Sequence, residues 1–296
     1  MTEALTPQER FRLRRSLLSV PAINARALEK SRTLPTDGVI FDLEDSVAES
    51  AKQLARDSLK QFAEGHDRPD QQWIIRINGT DTPHHAADLA LVRQLQPDAV
   101  LLPKAESVEA LTQLRDRIGS RSELWAMIET PKAVLKAAAL AEAAEDCGLT
   151  CFVVGLNDLR KETRIPADPK RRTLLPLLMQ VVLAARAYGL DVIDSVSNDF
   201  RDLEAFQAEC TEGRAMGFDG KMLIHPSQIE AANRAFAPSA EDLAEARAII
   251  AAFSTPEAAA LNVINHNGRM IERLHAEAAE RLLKTFSRTT NQDEPQ

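Results

Sequence analysis

Aromatic residues are scarce in this chain of 296 residues. Phe, Trp and Tyr together make up 4%, with Trp present twice and Tyr once. So few rings leave little to stack on nucleobases. A block of Lys and Arg is also missing. The 36 basic and 44 acidic residues give a net charge of −8. An acidic surface of this kind repels phosphate backbones, so nucleic acid is excluded as an expected partner. No window approaches the run of about 20 apolar residues that a membrane span needs, so no membrane partner is expected. Residues 1–15 carry charges without an apolar stretch, unlike a secretory signal. Cysteine occurs three times, as Cys147, Cys151 and Cys210. An odd number with no compact framework suits a reducing, cytoplasmic location. Cys147 and Cys151 have C-x3-C spacing, but no second Cys/His pair lies at a matching distance, and they read as small, partly buried thiols. G-x-G-x-x-G does not follow the first strand, and Ser195 lacks a G-x-S-x-G elbow. A usual dinucleotide fold and a serine hydrolase are thereby disfavoured. No internal repeat or low-complexity tract is visible.

What is present is an ordinary soluble balance, 44% hydrophobic and 27% charged. Short β-rich apolar runs lie at 15–20, 38–43, 73–77, 99–102, 124–128, 150–154, 191–193 and 218–224. Helical segments at 24–31, 46–63, 83–95, 108–118, 131–144, 174–188 and 203–216 separate them. Strand and helix alternating at this spacing imply parallel strands with crossover helices, an α/β fold. Eight such units in about 225 residues fit a (β/α)8 TIM barrel better than an open doubly wound sheet. Residues 1–235 would form the catalytic barrel. Residues 236–286 would be a C-terminal helical extension, a lid or oligomerisation segment, with helices at 239–253 and 271–286 divided by the polar stretch 262–269. Residues 287–296 are polar and read as a frayed tail.

A barrel demands that functional side chains gather at the C-terminal ends of its strands. Those ends read Asp42-Leu43-Glu44-Asp45, Arg76-Ile77-Asn78, Pro103-Lys104-Ala105-Glu106, Glu129-Thr130, Gly155-Leu156-Asn157-Asp158, Asp194-Ser195 and His225-Pro226. So many carboxylates around one mouth repel one another unless cations sit among them. Arg76 and Lys104 supply two positive charges, and a divalent metal is the natural third. Two protein oxygens, with water and substrate completing the shell, is the usual Mg²⁺ arrangement. Glu129 and Asp158 end adjacent strands and are the candidate ligands. Each also has a plainer reading as a helix cap. Glu44 and Asp45 are candidates for ligating the metal, for hydrogen-bonding its water or for holding Arg76, and Asp45 for capping the helix at 46–63. Arg76 suits a substrate carboxylate, or an internal salt bridge to Glu44. His225 reads as a base or as part of a sharp strand-to-helix junction with Ser227 as the cap. His84 and His85 are adjacent, point in two directions, and make a weak case for a metal.

These strings, taken in order, resemble the HpcH/HpaI aldolase and citrate lyase β-subunit family, in particular its CitE-like acyl-CoA lyases. Arg15-Ser16-Leu17-Leu18-Ser19-Val20-Pro21 is similar to the family's RSLLFVPG, and Asp42-Leu43-Glu44-Asp45-Ser46-Val47 to its DLEDAV. Arg76-Ile77-Asn78, Pro103-Lys104-Ala105-Glu106, Ile128-Glu129-Thr130 and Gly155-Leu156-Asn157-Asp158-Leu159 resemble RxN, PKVE, IET and GxxDL. The run from Gly217 to Gln228 resembles GFDGKxxIHPSQ. Ala22 and Ser19 stand where the family has Gly and Phe.

The resemblance implies a TIM barrel and a Mg²⁺-dependent carbon–carbon lyase acting on a 3-hydroxyacyl-CoA thioester of the malyl, citramalyl or citryl type. Arg76 would bind the substrate carboxylate with Glu129 at its side. Glu129 and Asp158 would ligate Mg²⁺, and Glu44 and Asp45 would support its water shell. Gly268-Arg269-Met270-Ile271-Glu272 corresponds to the family's GKMVD, so Glu272 replaces an Asp that serves a neighbouring subunit's site as acid/base. A homo-oligomer, a trimer or hexamer, is implied with it. The alternatives are a CoA-independent class II aldolase of pyruvate or other oxo acids, a malyl-CoA thioesterase, and an inactive subunit of a lyase complex.

Overall fold

The computed structural model describes residues 13–65, 70–166, 168, 170–255, 258, 261–266 and 268–290. Arg14–Phe236 forms one compact unit and the chain from Ala237 on belongs to a second. Eight parallel strands close the first unit into a barrel in sequence order. They are β1 (Ser16–Pro21), β2 (Gly38–Asp42), β3 (Gln72–Arg76), β4 (Ala99–Leu102), β5 (Glu123–Ile128), β6 (Leu149–Val154), β7 (Asp191–Asp194) and β8 (Gly220–Leu223). Every strand expected from the sequence is present. β1 pairs with β8 through Ser16 to Lys221 and Leu18 to Leu223, which completes the cylinder. Each strand is buried on both faces and so reads as a continuous apolar run.

Alternation along the strands sorts the side chains. Leu17, Ile40, Ile74, Leu101, Trp125, Met127, Cys151, Val153, Ile193 and Met222 pack together inside the cylinder. Leu18, Val39, Phe41, Ile75, Val100, Phe152 and Val192 pack in the larger cluster that includes residues of the surrounding helices. Two residues beyond each inner apolar layer the same face reaches the mouth. At the opposite end Arg14 lies 4.7 Å above the Trp125 ring. It pairs with Glu123 at 2.5 Å and also with Asp191.

The helices depart from expectation where side chains compete for backbone groups. The helix expected at 46–63 is Lys52–Glu64, after a short 3₁₀ turn at Glu49–Ala51. Asp42 accepts the N–H groups of Glu44 at 2.8 Å and Ser46 at 3.1 Å. It turns the chain away from helix there, and Asp45 is not a cap. Buried Lys52 then ties the turn, donating to the carbonyls of Leu43 at 2.9 Å and Glu44 at 2.8 Å. A helix not expected from the sequence, Leu156–Thr163, follows β6. The cap of helix Pro131–Glu142 is Thr130, not Glu129.

In the second unit helix Ala240–Phe253 is as expected. The polar stretch at 262–269 is instead part of an antiparallel hairpin, β9 (Val263–His266) with β10 (Arg269–Glu272). Ile271 was expected to open the last helix, but it lies in β10 and packs with Phe253 and Ala276. That helix runs Arg273–Thr290, so its backbone enters the stretch expected to fray. Residues 291–296, the rest of that tail, and residues 1–12, which held most of the signal-peptide reading, lie outside the described residues. Among the described residues no helix is long and apolar enough to cross a membrane.

Candidate active site

The inner face of the cylinder becomes polar where the strands end. Ser19 follows Leu17, Asp42 follows Ile40, Arg76 follows Ile74, Glu129 follows Met127, Gly155 follows Val153 and Ser195 follows Ile193, each by two residues. All six line one cavity of about 290 Å³, together with Asp45, Met127, Asn157 and Asp158. The strand period alone therefore carries these groups to one place.

Arg76 is the pivot of the site. Its Nε donates to Asp42 Oδ1 at 2.7 Å and its Nη2 to Asp42 Oδ2 at 2.5 Å, a fork-on-carboxylate pair. Nη1 lies 3.2 Å from Glu44 Oε2 and 3.6 Å from Met127 Sδ. The guanidinium fork expected to be open to a substrate carboxylate is therefore occupied along one edge by Asp42, and its Nη1 side is shared with Glu44. The salt bridge to Glu44 anticipated from the sequence exists but is the secondary contact. Burial alone would raise Asp42, yet the charge and hydrogen bonds of Arg76 hold it below the usual carboxylate range.

Lys104 closes the other side. Its Nζ lies 2.6 Å from Glu44 Oε1 and 3.7 Å from Asp45 Oδ1, and its N–H donates to Glu129 Oε1 at 2.9 Å. Its φ of 48° bends the chain so that amide and side chain both face the acidic cluster. Burial raises Glu44 above its ordinary value, with Arg76 opposing. Burial pushes Glu129 up to about 8; Arg76 opposes this, Glu44 adds to it, and Lys104 and Asp158 then act in opposite senses.

These shifts express one imbalance. Five carboxylates, Asp42, Glu44, Asp45, Glu129 and Asp158, share the mouth with two cations, Arg76 and Lys104. Gly155 deepens the cradle, because a Cβ there would stand 2.6 Å from Glu129 Oε2. Among the described residues no group of three or more His, Cys, Asp or Glu is arranged to hold a metal ion. Two protein carboxylates, with water and substrate completing the shell, suit Mg²⁺. Glu129 and Asp158 have the required chemistry: both line the cavity, and Oε1 of Glu129 is anchored by the backbone N–H of Lys104.

Glu44, Asp45, Arg76, Glu129 and Asp158 are thus brought together, as the strand-end pattern anticipated. Glu272 belongs to the second unit, at the end of β10, where its N–H donates to His275 Nδ1 at 2.9 Å. Two expectations are corrected. Asp194 does not join the mouth. It packs outside the cylinder wall with Arg171 and Lys221. His225, rather than Ser227, is the cap of the turn after β8: its ring accepts the Ser227 N–H at 3.2 Å and its own N–H donates to Gln228 Oε1 at 3.2 Å. His84 pairs with Glu49 at 2.5 Å, whereas buried His85 meets the Asn78 carbonyl at 2.9 Å. Cys147, Cys151 and Cys210 are buried and free. The roles of Asp42 and Ser195 were missed; the signal for both was the apolar alternation continuing past each strand's last hydrophobic residue.

Fold and site define the class: a (β/α)8 barrel with its polar groups at the C-terminal ends of the strands, the arrangement of barrel enzymes. The chain belongs to the HpcH/HpaI aldolase/citrate lyase family, whose model matches residues 15–226. A (3S)-malyl-CoA thioesterase of Cereibacter sphaeroides is 43% identical over 272 residues, 91% of this chain and 93% of that protein. Citrate lyase subunit beta of Escherichia coli is 31% identical over 283 residues, 92% and 93% of the two chains. The crystal structure of CitE from Mycobacterium tuberculosis with magnesium, acetoacetate and coenzyme A superposes with a TM-score of 0.75 at 30% identity, covering 92% of this chain and 97% of that one.

Proposed function

We propose that this protein is a Mg²⁺-dependent enzyme of the malyl-CoA class that hydrolyses the thioester of a 3-hydroxyacyl-CoA bearing a terminal carboxylate. The observation that carries this reading is that buried Glu129, Asp158 and Arg76 line one cavity, with more carboxylate than cation around it. Hydrolysis is preferred over carbon–carbon cleavage because the thioesterase relative is 43% identical over 91% of the chain.

In this reading the hydroxyacyl head enters the mouth and the Nη1 side of Arg76 meets its carboxylate. Asp42 holds the guanidinium plane, so the charge is presented in one orientation. Glu129 and Asp158 hold Mg²⁺, which when bound supplies positive charge to the substrate oxygens. Glu44, steadied by Lys104, and Asp45 order the surrounding water. Water adds at the thioester carbonyl carbon, the C–S bond breaks, and CoA leaves as the thiol with malate as the other product. Glu272 of a neighbouring copy takes a proton of the attacking water and passes it to the departing CoA sulfur, in a homo-oligomer of the trimer or hexamer type.

A second reading is favoured by the likeness to citrate lyase subunit beta. The 3-hydroxyl proton is removed, the carbon–carbon bond breaks, and the acetyl-CoA enolate is protonated by Glu272. Incubation with malyl-CoA and Mg²⁺, followed by mass spectrometry, separates the two. Free CoA with malate is expected. Acetyl-CoA with glyoxylate establishes the lyase, and an untouched substrate refutes both. Glu129→Gln and Asp158→Asn should each abolish turnover with the fold intact; full activity in either, or in excess EDTA, refutes the metal assignment.

A further inference from the structure

Ser195 ends β7 on the inner face, is fully buried, and lines the cavity. Its neighbour Asp194 points the other way, through the wall, into a buried ionic cluster. There Asp194 accepts from Arg171 Nη1 at 2.8 and 2.9 Å and from Lys221 Nζ at 2.7 Å. Arg171 continues to Glu212 at 2.9 Å and Lys221 to Glu209 at 2.6 Å. Gly213 makes room for it, since a Cβ there would lie 3.0 Å from Asp194 Oδ2. A cluster this deeply buried is weak evidence of net stability. What it does is fix a backbone: Asp194 Oδ1 accepts the N–H of Ser195 at 2.8 Å.

The hydroxyl of Ser195 then has a short inventory. It owns one proton and two lone pairs. One lone pair accepts the N–H of Leu156 at 2.9 Å, at the start of the helix that carries Asp158. Among the described residues no acceptor is placed for its proton. A buried donor is seldom left unpaired, because its desolvation is then uncompensated. The acceptor must lie in the cavity itself. Among the described residues no histidine is hydrogen-bonded to Ser195, so the hydroxyl is a donor here and not an activated nucleophile.

We propose that Ser195 is a substrate-binding hydroxyl that donates to an unprotonated oxygen of the hydroxyacyl head, with Asp194, Arg171 and Lys221 as its positioning residues. This deepens the function proposed above and rests on it. The donor is fixed before substrate arrives, because the strand end, the ionic cluster behind it and the Leu156 amide together leave the proton one direction.

The test uses the full chain with Mg²⁺ and malyl-CoA, and titrates malate by calorimetry in parallel. Ser195→Ala should lower kcat/KM about tenfold to a hundredfold and weaken malate binding to a similar degree. The Mg²⁺ concentration for half-activation should stay within about twofold of wild type, since the ligands are untouched. A kcat/KM within about twofold of wild type overturns the proposal. So does a half-activation concentration that moves by the same factor as kcat/KM, because the hydroxyl then acts only by holding the helix of Asp158. If the wild-type chain leaves malyl-CoA untouched, the proposed function fails on its own, and the malate titration decides the role of Ser195. Equal malate binding by both proteins, or none by either, refutes that role.

Discussion

Arg76 shows how a single side chain is committed by its neighbours. Asp42 takes the Nε and Nη2 edge, Glu44 and Met127 lie against Nη1, and the whole group is buried. Arg76→Lys cannot reproduce a two-pronged pair. It should raise KM for the thioester strongly and lower Tm by a few degrees, because the ammonium keeps the charge beside buried Asp42 but not both hydrogen bonds, a loss of about 1–3 kcal/mol. Steady-state kinetics and a melting curve check both, and an unchanged KM counts against the carboxylate role. Gly155 makes the complementary case. A methyl group there must displace the Glu129 carboxylate, 2.6 Å from the new Cβ. Gly155→Ala should therefore cost about a hundredfold in kcat/KM and raise the Mg²⁺ needed for half-activation. Retained wild-type kinetics would show that Glu129 has room to move without consequence.

At the scale of elements, the β2 loop is an instance of local competition. Asp42 accepts two backbone amides and diverts the chain, and the helix waits until Lys52. Lys52 in turn holds the carbonyls of Leu43 and Glu44 and so fixes the segment that carries Glu44 and Asp45. Lys52→Met keeps the aliphatic stem and removes both hydrogen bonds. A destabilisation of about 1–3 kcal/mol is expected, with a larger fractional loss of turnover than of folded protein, as read by urea unfolding and kinetics on the same sample. The strands were legible in the sequence because each is a short apolar run between polar helices. The helix Leu156–Thr163 was not legible: of its eight residues only Leu156 and Leu159 are buried, too few for a helical pattern. The hairpin β9–β10 was hidden for a similar reason. It buries Ile271 and half-buries Ile264, and its turn is read as a polar break between helices.

Across the whole molecule the buried ionic clusters set the response to acid. Asp42 is held below its ordinary range by Arg76, and Asp194 by Lys221 and then Arg171, against the opposing effect of burial. The folded protein therefore binds fewer protons at these sites than the unfolded chain does. Their stabilisation is complete above the ordinary carboxylate value of 3.8 and is lost as the pH falls toward the depressed folded values. The urea midpoint should drop steeply between about pH 4.5 and pH 2.5; a flat midpoint across that range would mean the pairs contribute nothing net. The role proposed for Glu272 is also a whole-molecule question. Refolding a mixture of Glu272→Gln and Arg76→Lys chains should recover part of the activity if one copy's Glu272 serves another copy's mouth, and none if each chain works alone.

The sequence by itself determined the cylinder, the family and the identity of most charged groups at its mouth. Alternating apolar runs have one good way to bury both faces, and strand-end motifs are local strings. Tertiary structure alone decided how those charges pair. Asp42 rather than a substrate holds the Arg76 fork, Asp194 faces out of the wall while Ser195 faces in, and Gly155 gives Glu129 its space. Each of these depends on which groups meet across separate strands, and no neighbour in the chain encodes that.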